Sequence, residues 1–396
     1  VTNQTAGPVR PVHRAPRPRF AAAPGRRWWL LVAAVTAIAL AVSGCLPRRP
    51  IPRPGPLDRP VFATAGPYAA GVTTLELSDR KVEVWYPVPR WRTHGRTPDT
   101  YYIRDFLPAA LQAIIPPAIN PPFETDAYRD LRPAYGRFPL VVFSHGAVSF
   151  RLQSTFLTSH LASWGFVVAS PDFLERGLQN LFQPPLPNPR TNVDVLTETV
   201  ARLRRAGAEP GLLHGIVGTG GVAAVGHSAG GGASTQFAAT DDVLGWVPLA
   251  AGSGGGAPLP AKPSMWIAGA DDTIVPATAS RAGYDRSAPP TRYVEIGGAG
   301  HLNAFSDLCL IGEGGGGIIA LAKQAGLPVP PELERLGTDG CFPPALASER
   351  VWPVTRHFVT AALRQIFRID RAPVGLADGV QHRFGDVPVV YEQRLR

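Results

Sequence analysis

Lysine is nearly absent from this 396-residue chain, which contains only Lys81, Lys262 and Lys323. Arginine carries the positive charge instead, a bias that fits a GC-rich genome better than a nucleic-acid footprint. Acidic residues are missing altogether from residues 1–45, where Arg10, Arg14, Arg17, Arg19, Arg26 and Arg27 supply six of the nine net positive charges. The rest of the chain carries only +3, so the high isoelectric point argues for a basic leader and against nucleic-acid binding. Cysteine is scarce as well: Cys45, Cys309 and Cys341 are the only three. No internal repeat is visible. What is abundant is apolar surface, at 45% of residues, enough for a sizeable core in one large domain or two small ones. Forty-three prolines and 42 glycines add many loops and a non-globular segment.

Eleven of the 43 prolines lie in residues 1–65, and their position explains them. Residues 1–27 are rich in Pro and Arg and are expected to be disordered. Trp28 to Val42 is an unbroken apolar run, short for a membrane span but suited to the core of a signal peptide. It ends in Val42-Ser43-Gly44-Cys45, which matches a bacterial lipobox with Cys45 as the lipidated residue. The alternative is an uncleaved anchor with an incidental cysteine. Either reading puts the folded part outside the cytoplasmic membrane, with the membrane as a partner through the N-terminus. Residues 46–65 read as an extended Pro/Arg-rich tether.

The folded domain is expected over 66–370, with 371–396 as a C-terminal tail. Thr73–Leu77 and Lys81–Tyr86 alternate around Ser78-Asp79-Arg80 and predict an antiparallel hairpin. A short helix is expected between Thr100 and Ile115. Further on, apolar strand-like runs alternate with helical patterns: strands at Phe138–Phe143, Gly165–Ser170, Val222–Gly226, Leu244–Ala250, Ser264–Ala268 and Arg292–Ile296, and helices at Ser154–Trp164, Asn192–Ala206 and Trp352–Phe367. That alternation predicts an α/β fold, a mostly parallel central sheet with helices on both faces.

Gly226-His227-Ser228-Ala229-Gly230 follows one of these strands. A Gly-x-Ser-x-Gly stretch between strand and helix is the pattern of a nucleophile elbow, and it makes Ser228 the candidate nucleophile. A serine hydroxyl needs a base, and the base needs an orienting acid. In this arrangement the acid and then the histidine follow the serine along the chain. The acid falls in Gly269-Ala270-Asp271-Asp272, after a strand, with Asp272 preferred to Asp271. His301, in the Gly-rich loop 297–300, is the candidate base; His357 falls inside a helix and His382 in the tail. The oxyanion hole needs two backbone donors. Ala229 supplies one, and Ala147, with Gly146 as second choice, supplies the other. His145 and His227 flank the site and are read as packing or hydrogen-bonding residues.

Phe143-Ser144-His145-Gly146, Gly226–Gly231, Asp272 and His301 together resemble the α/β-hydrolase superfamily. More narrowly they are similar to the platelet-activating-factor acetylhydrolase branch and related cutinase-like polyester hydrolases. Gly66-Pro67-Tyr68, Val84-Trp85-Tyr86-Pro87 and Trp164-Gly165-Phe166-Val167-Val168 extend the resemblance over about residues 66–367. It implies the α/β-hydrolase fold, a Ser228–His301–Asp272 triad, oxyanion donors at Ala147 and Ala229, and no cofactor or metal. Those relatives carry larger residues where Ala147 and Ala229 stand, so the small side chains here imply a relatively open acyl site.

With Cys45 lipidated, Cys309 and Cys341 remain as a pair, expected to form a disulfide in an oxidising compartment and to clip an insertion at 309–341. Two free buried thiols are the alternative. The expected activity is hydrolysis of small-molecule or lipid esters by an exported, lipid-anchored serine esterase. An acyltransferase with the same machinery and a dormant surface-binding lipoprotein are the rival readings.

Overall fold

The computed structural model describes residues 57–396, apart from residue 257 and residues 312–316. The leader, Cys45 and the tether up to residue 56 therefore lie outside the described residues. Twelve strands are present among the described residues: β1 (Ala69–Glu76), β2 (Lys81–Val88), β3 (Thr100–Tyr101), β4 (Phe123–Glu124), β5 (Ala127–Arg129), β6 (Leu140–Ser144), β7 (Val167–Pro171), β8 (Val222–His227), β9 (Val243–Leu249), β10 (Ser264–Gly269), β11 (Thr291–Ile296) and β12 (Val389–Arg394). The helices are α1 (Ala109–Ile114), α2 (Thr155–Ser163), α3 (Asn192–Ala208), α4 (Ala229–Phe237), α5 (Ala277–Arg286), α6 (Gly317–Gln324), α7 (Pro331–Thr338) and α8 (Ser348–Ile366).

Ten strands form one sheet in the order β12-β11-β10-β9-β8-β6-β7-β2-β1-β5. From β7 through β6, β8, β9 and β10 to β11 every pairing is parallel. The β1–β2 hairpin joins antiparallel at one side, and β12 antiparallel to β11 at the other. The central strands are apolar throughout because both of their faces are buried. In β6, Val141 and Phe143 enter one core while Leu140 and Val142 enter the opposite one. Ala223 and Val225 of β8 divide from Val222 and Ala224 in the same way. The first core is covered by Phe156, Leu157 and Leu161 of α2 and by Val351 and Phe358 of α8. The second is covered by Val195, Leu196, Val200 and Leu203 of α3 and by Phe237 of α4. The fold is thus an α/β-hydrolase fold: a mostly parallel sheet with helices on both faces and an N-terminal antiparallel hairpin.

Three local expectations come out differently. The helix anticipated over Thr100–Ile115 is divided into β3, a 3-10 turn at Ile103–Phe106 and the short α1. Pro108, which has no N–H to continue a helix, stands at the boundary, and Pro116-Pro117 closes the other end. Residues 371–396 contain β12, which forms the sheet edge. Packing also begins before Gly66: Phe62 is buried against Trp164 and His357, and its N–H donates to His357 Nδ1 at 3.2 Å.

Candidate active site

The candidate residues gather at one edge of the sheet because each follows the C-terminal end of a parallel strand: Ala147 after β6, Ser228 after β8, Asp272 after β10 and His301 after β11. In open parallel sheets that edge is where loops from different strands converge.

Ser228 sits between β8 and α4 at φ +57° and ψ −122°, a left-handed conformation that costs a non-glycine residue energy. The glycines around it permit the turn. A Cβ on Gly226 would stand 2.0 Å from Gly230 O, and one on Gly230 would stand 2.0 Å from Ser144 O. The strained residue is held by its own backbone, with Ser228 N–H donating to Leu249 O at 2.8 Å and Ser228 O accepting from Gly231 N–H at 2.8 Å.

Asp272 and His301 form a buried pair, with His301 Nδ1 2.8 Å from Asp272 Oδ2. The other oxygen of Asp272 accepts from Ile274 N–H at 2.8 Å and Val275 N–H at 2.7 Å, which fixes the carboxylate. An ionised carboxylate can only accept, so His301 Nδ1 donates and a neutral ring leaves Nε2 free to take a proton. Nε2 is buried and has no hydrogen-bond partner among the described residues. Ser228 Oγ therefore does not bond to it in this structure, though both residues line the same cavity. Such bonds are often long in unliganded enzymes. Asp271, the competing acid, is exposed, and its N–H donates to Ala299 O at 2.9 Å. His357 is buried in α8, bonded through Nε2 to Gly375 O at 2.8 Å, and His382 is bonded to its neighbour Gln381, so neither joins the cluster.

Ala147 lines the cavity beside Ser228, and neither its N–H nor that of Ala229 has a hydrogen-bond partner among the described residues. Gly146 is not equivalent, since its N–H is already committed to Gln153 Oε1 at 2.7 Å. Val148, next in the loop, takes φ +53°, unusual for a β-branched residue, with its N–H held by Arg176 O at 2.7 Å.

Gln153 has no motif to announce it, yet it links three parts of the site. Its Oε1 holds Gly146, its Nε2 lies 2.7 Å from His227 Nδ1, and its backbone O accepts from Asp307 N–H at 2.8 Å. His227 Nε2 in turn lies 2.8 Å from His301 O. A carbonyl cannot donate, so His227 carries its proton on Nε2 and accepts from Gln153 at Nδ1. Burial, reinforced by nearby His301, holds the His227 pKa well below the usual histidine range. His145 is also neutral: burial and the Arg176 charge lower its pKa to about 3, while its ring bonds to Gly146 O at 2.8 Å and Phe173 N–H at 2.9 Å. Both histidines are structural clamps in this arrangement.

A second unannounced residue is Asp339. Its Oδ1 accepts from His301 N–H at 2.5 Å and its Oδ2 from Thr273 N–H at 3.2 Å, so one carboxylate ties the histidine loop to the acid loop. It lies two residues before Cys341, which forms a disulfide with Cys309 across a separation of 32 residues. The clipped segment carries α6 and α7, whose Ile318, Ile319, Ala322, Leu333 and Leu336 form one wall of the cavity over Ser228. That cavity has an empty volume of about 680 Å³.

A family model described as platelet-activating factor acetylhydrolase, isoform II, matches residues 108–177. The matched stretch includes β6, the loop with Ala147, α2 and β7, and stops short of Ser228, Asp272 and His301. It supports a likeness to that α/β-hydrolase family and, at a coarse level, an ester-hydrolase activity. No curated protein matches the sequence significantly.

Proposed function

We propose that this chain is a serine carboxylic-ester hydrolase with Ser228 as nucleophile, His301 as base and Asp272 as orienting acid. The observation that carries the reading is the buried 2.8 Å His301–Asp272 pair, whose unpartnered Nε2 belongs to the same cavity as a serine held on a strained elbow. In the proposed reaction Ser228 Oγ attacks the ester carbonyl and its proton passes to His301 Nε2. Asp272 stabilises the resulting imidazolium. The N–H groups of Ala147 and Ala229 take up the charge on the carbonyl oxygen. His301 then protonates the departing alcohol, and water activated by the same nitrogen releases the acid from Ser228.

Labelling with a fluorophosphonate probe tests this. The wild-type protein should label and Ser228→Ala should not; a folded wild-type protein that stays unlabelled refutes the assignment. The reading also places the domain outside the cytoplasmic membrane, anchored through Cys45 by the pattern of residues 28–45. Cys45→Ser should then shift the protein out of the membrane fraction, and unchanged partitioning would argue for a spanning anchor.

A further inference from the structure

Behind the site lies a second cavity, with an empty volume of about 430 Å³. Ile103, Leu107, Ile115 and Ile119 line it from the segment before β6, and Leu321 and Ala325 from the clipped insertion. Its polar members are Arg104, which donates to Ile115 O at 3.2 Å, and Asn120, whose Oδ1 accepts from Arg104 N–H at 3.1 Å. Five apolar residues, Leu178, Phe182, Ile318, Ala322 and Leu327, line both this cavity and the one over Ser228. The two spaces are therefore neighbours that share a wall made by α6, Leu327 and the 178–182 loop. At the rim, Leu181 and Phe182 are partly exposed, at 44% and 37%.

From this shared apolar wall we infer that the second cavity is a distal subsite for one long unbranched aliphatic chain of the substrate ester. The reacting carbonyl sits at Ser228 and the chain runs past Ala322 and Leu327 into the space lined by Ile103, Ile119 and Ala325. The inference rests on the ester-hydrolase reading and names its substrate class. Apart from Arg104 and Asn120, whose Nδ2 is buried without a partner among the described residues, the lining is apolar, so a chain of methylenes is the occupant whose chemistry fits most of it.

The test varies chain length on either side of the ester bond, using p-nitrophenyl esters from acetyl to hexadecanoyl and acetates of straight alcohols over the same range. Each methylene transferred from water into the cavity should raise kcat/KM up to about fourfold. Ala325→Trp and Ile119→Trp, which narrow only the distal cavity, should leave acetyl and butyryl esters within about twofold. On the longest chains, excluding four methylenes should cost on the order of 10²-fold in kcat/KM. The series that responds identifies whether the chain belongs to the acid or the alcohol. Rates that are flat beyond the shortest esters, or long-chain rates untouched by both variants, overturn the inference and leave the hydrolase reading standing. A second readout needs no turnover: a fluorescent hexadecanoic-acid analogue should bind the Ser228→Ala protein and be displaced by adding Ala325→Trp. Failure to bind refutes the subsite, while absence of turnover on every ester together with binding would refute only the hydrolase assignment.

Discussion

Replacing Gln153 by leucine isolates the contribution of the polar link behind the oxyanion loop. The side chain is 1% exposed, and leucine fills a similar volume without its amide. Two buried groups are then stranded, Gly146 N–H and His227 Nδ1, now 2.7 Å from the amide in each case. Each buried unsatisfied group costs about 1–3 kcal/mol, so the variant should lose about 2–6 kcal/mol of stability. The effect on turnover has a different origin. Gly146 is no longer anchored, and the Ala147 N–H beside it loses its fixed position. Complete loss of an oxyanion donor costs about 10²–10³ in kcat, so partial displacement should cost about 10- to 100-fold. KM should change little, because the apolar walls remain. Gln153→Glu keeps the acceptor for Gly146 while removing the donor to His227. It should recover most of kcat but only part of the stability. The assays are urea unfolding and steady-state hydrolysis of p-nitrophenyl butyrate. If the leucine variant folds, loses stability and keeps kcat within twofold, the amide supports the fold alone and the proposed link to the oxyanion loop is wrong.

Asp339→Ala removes the acceptor for both His301 N–H and Thr273 N–H. It should cost about 2–4 kcal/mol in stability and lower kcat more than it raises KM, and an unchanged melting temperature would contradict this. The double variant Cys309→Ser, Cys341→Ser opens a 32-residue loop and should lose about 3–4 kcal/mol, measured by chemical unfolding; no loss would show that packing alone holds the insertion. Acid should destabilise the domain steeply below neutrality. Burial depresses His145 to about 3 and His357 to about 4, and holds His160 and His227 well below the usual value. Between about pH 6.5 and 5 the unfolded chain binds a proton at each of these four sites and the folded one does not. Asp307 opposes them, because burial raises its pKa to about 7 and the folded state keeps a proton there that the unfolded chain has lost. The net uptake rises from about one proton near pH 6.5 to about three near pH 5, so the fall should steepen from about 2 to about 4 kcal/mol per pH unit, and a flat unfolding free energy from pH 7 to 5 would refute it.

The parts of this molecule that could be read from sequence are those in which local chemistry and global fold agree. β6 and β8 are apolar runs because both faces are buried, and Gly226 and Gly230 are forced by backbone contact. The pairing of Asp272 with His301 could be anticipated because strand order fixes which loops meet. Gln153 and Asp339 could not. Each acts through groups brought close by tertiary contact, the His227 ring 74 residues away in one case and the His301 N–H 38 residues away in the other. No periodicity or motif encodes such a meeting. β12 was missed for a related reason: Val389–Arg394 is a reasonable strand sequence, but its partner β11 ends some 90 residues earlier in the chain, and pairing at an edge leaves no two-sided apolar run. The boundary at Pro108 was legible in principle, since its ring forbids the continuous helix that the surrounding residues suggest.

The insertion at 309–341 joins two functions that are usually separable. One of its ends supplies Asp339, which fixes the loops bearing Asp272 and His301. Its helix α6 supplies the partition between the cavity over Ser228 and the cavity behind it. A single disulfide closes the segment, so movement of the clip disturbs the positions of the reacting groups and the shape of the chain path together. Substitutions at Ala325 or Ile119, by contrast, reach only the second cavity. The geometry therefore separates two classes of variant. Those within the distal wall should alter chain-length preference at constant kcat on short esters. Those that loosen the clip should lower kcat on every ester and flatten the preference as well. On the proposed reading, the segment that holds the His301 loop is in this way also the one that shapes the path of the chain.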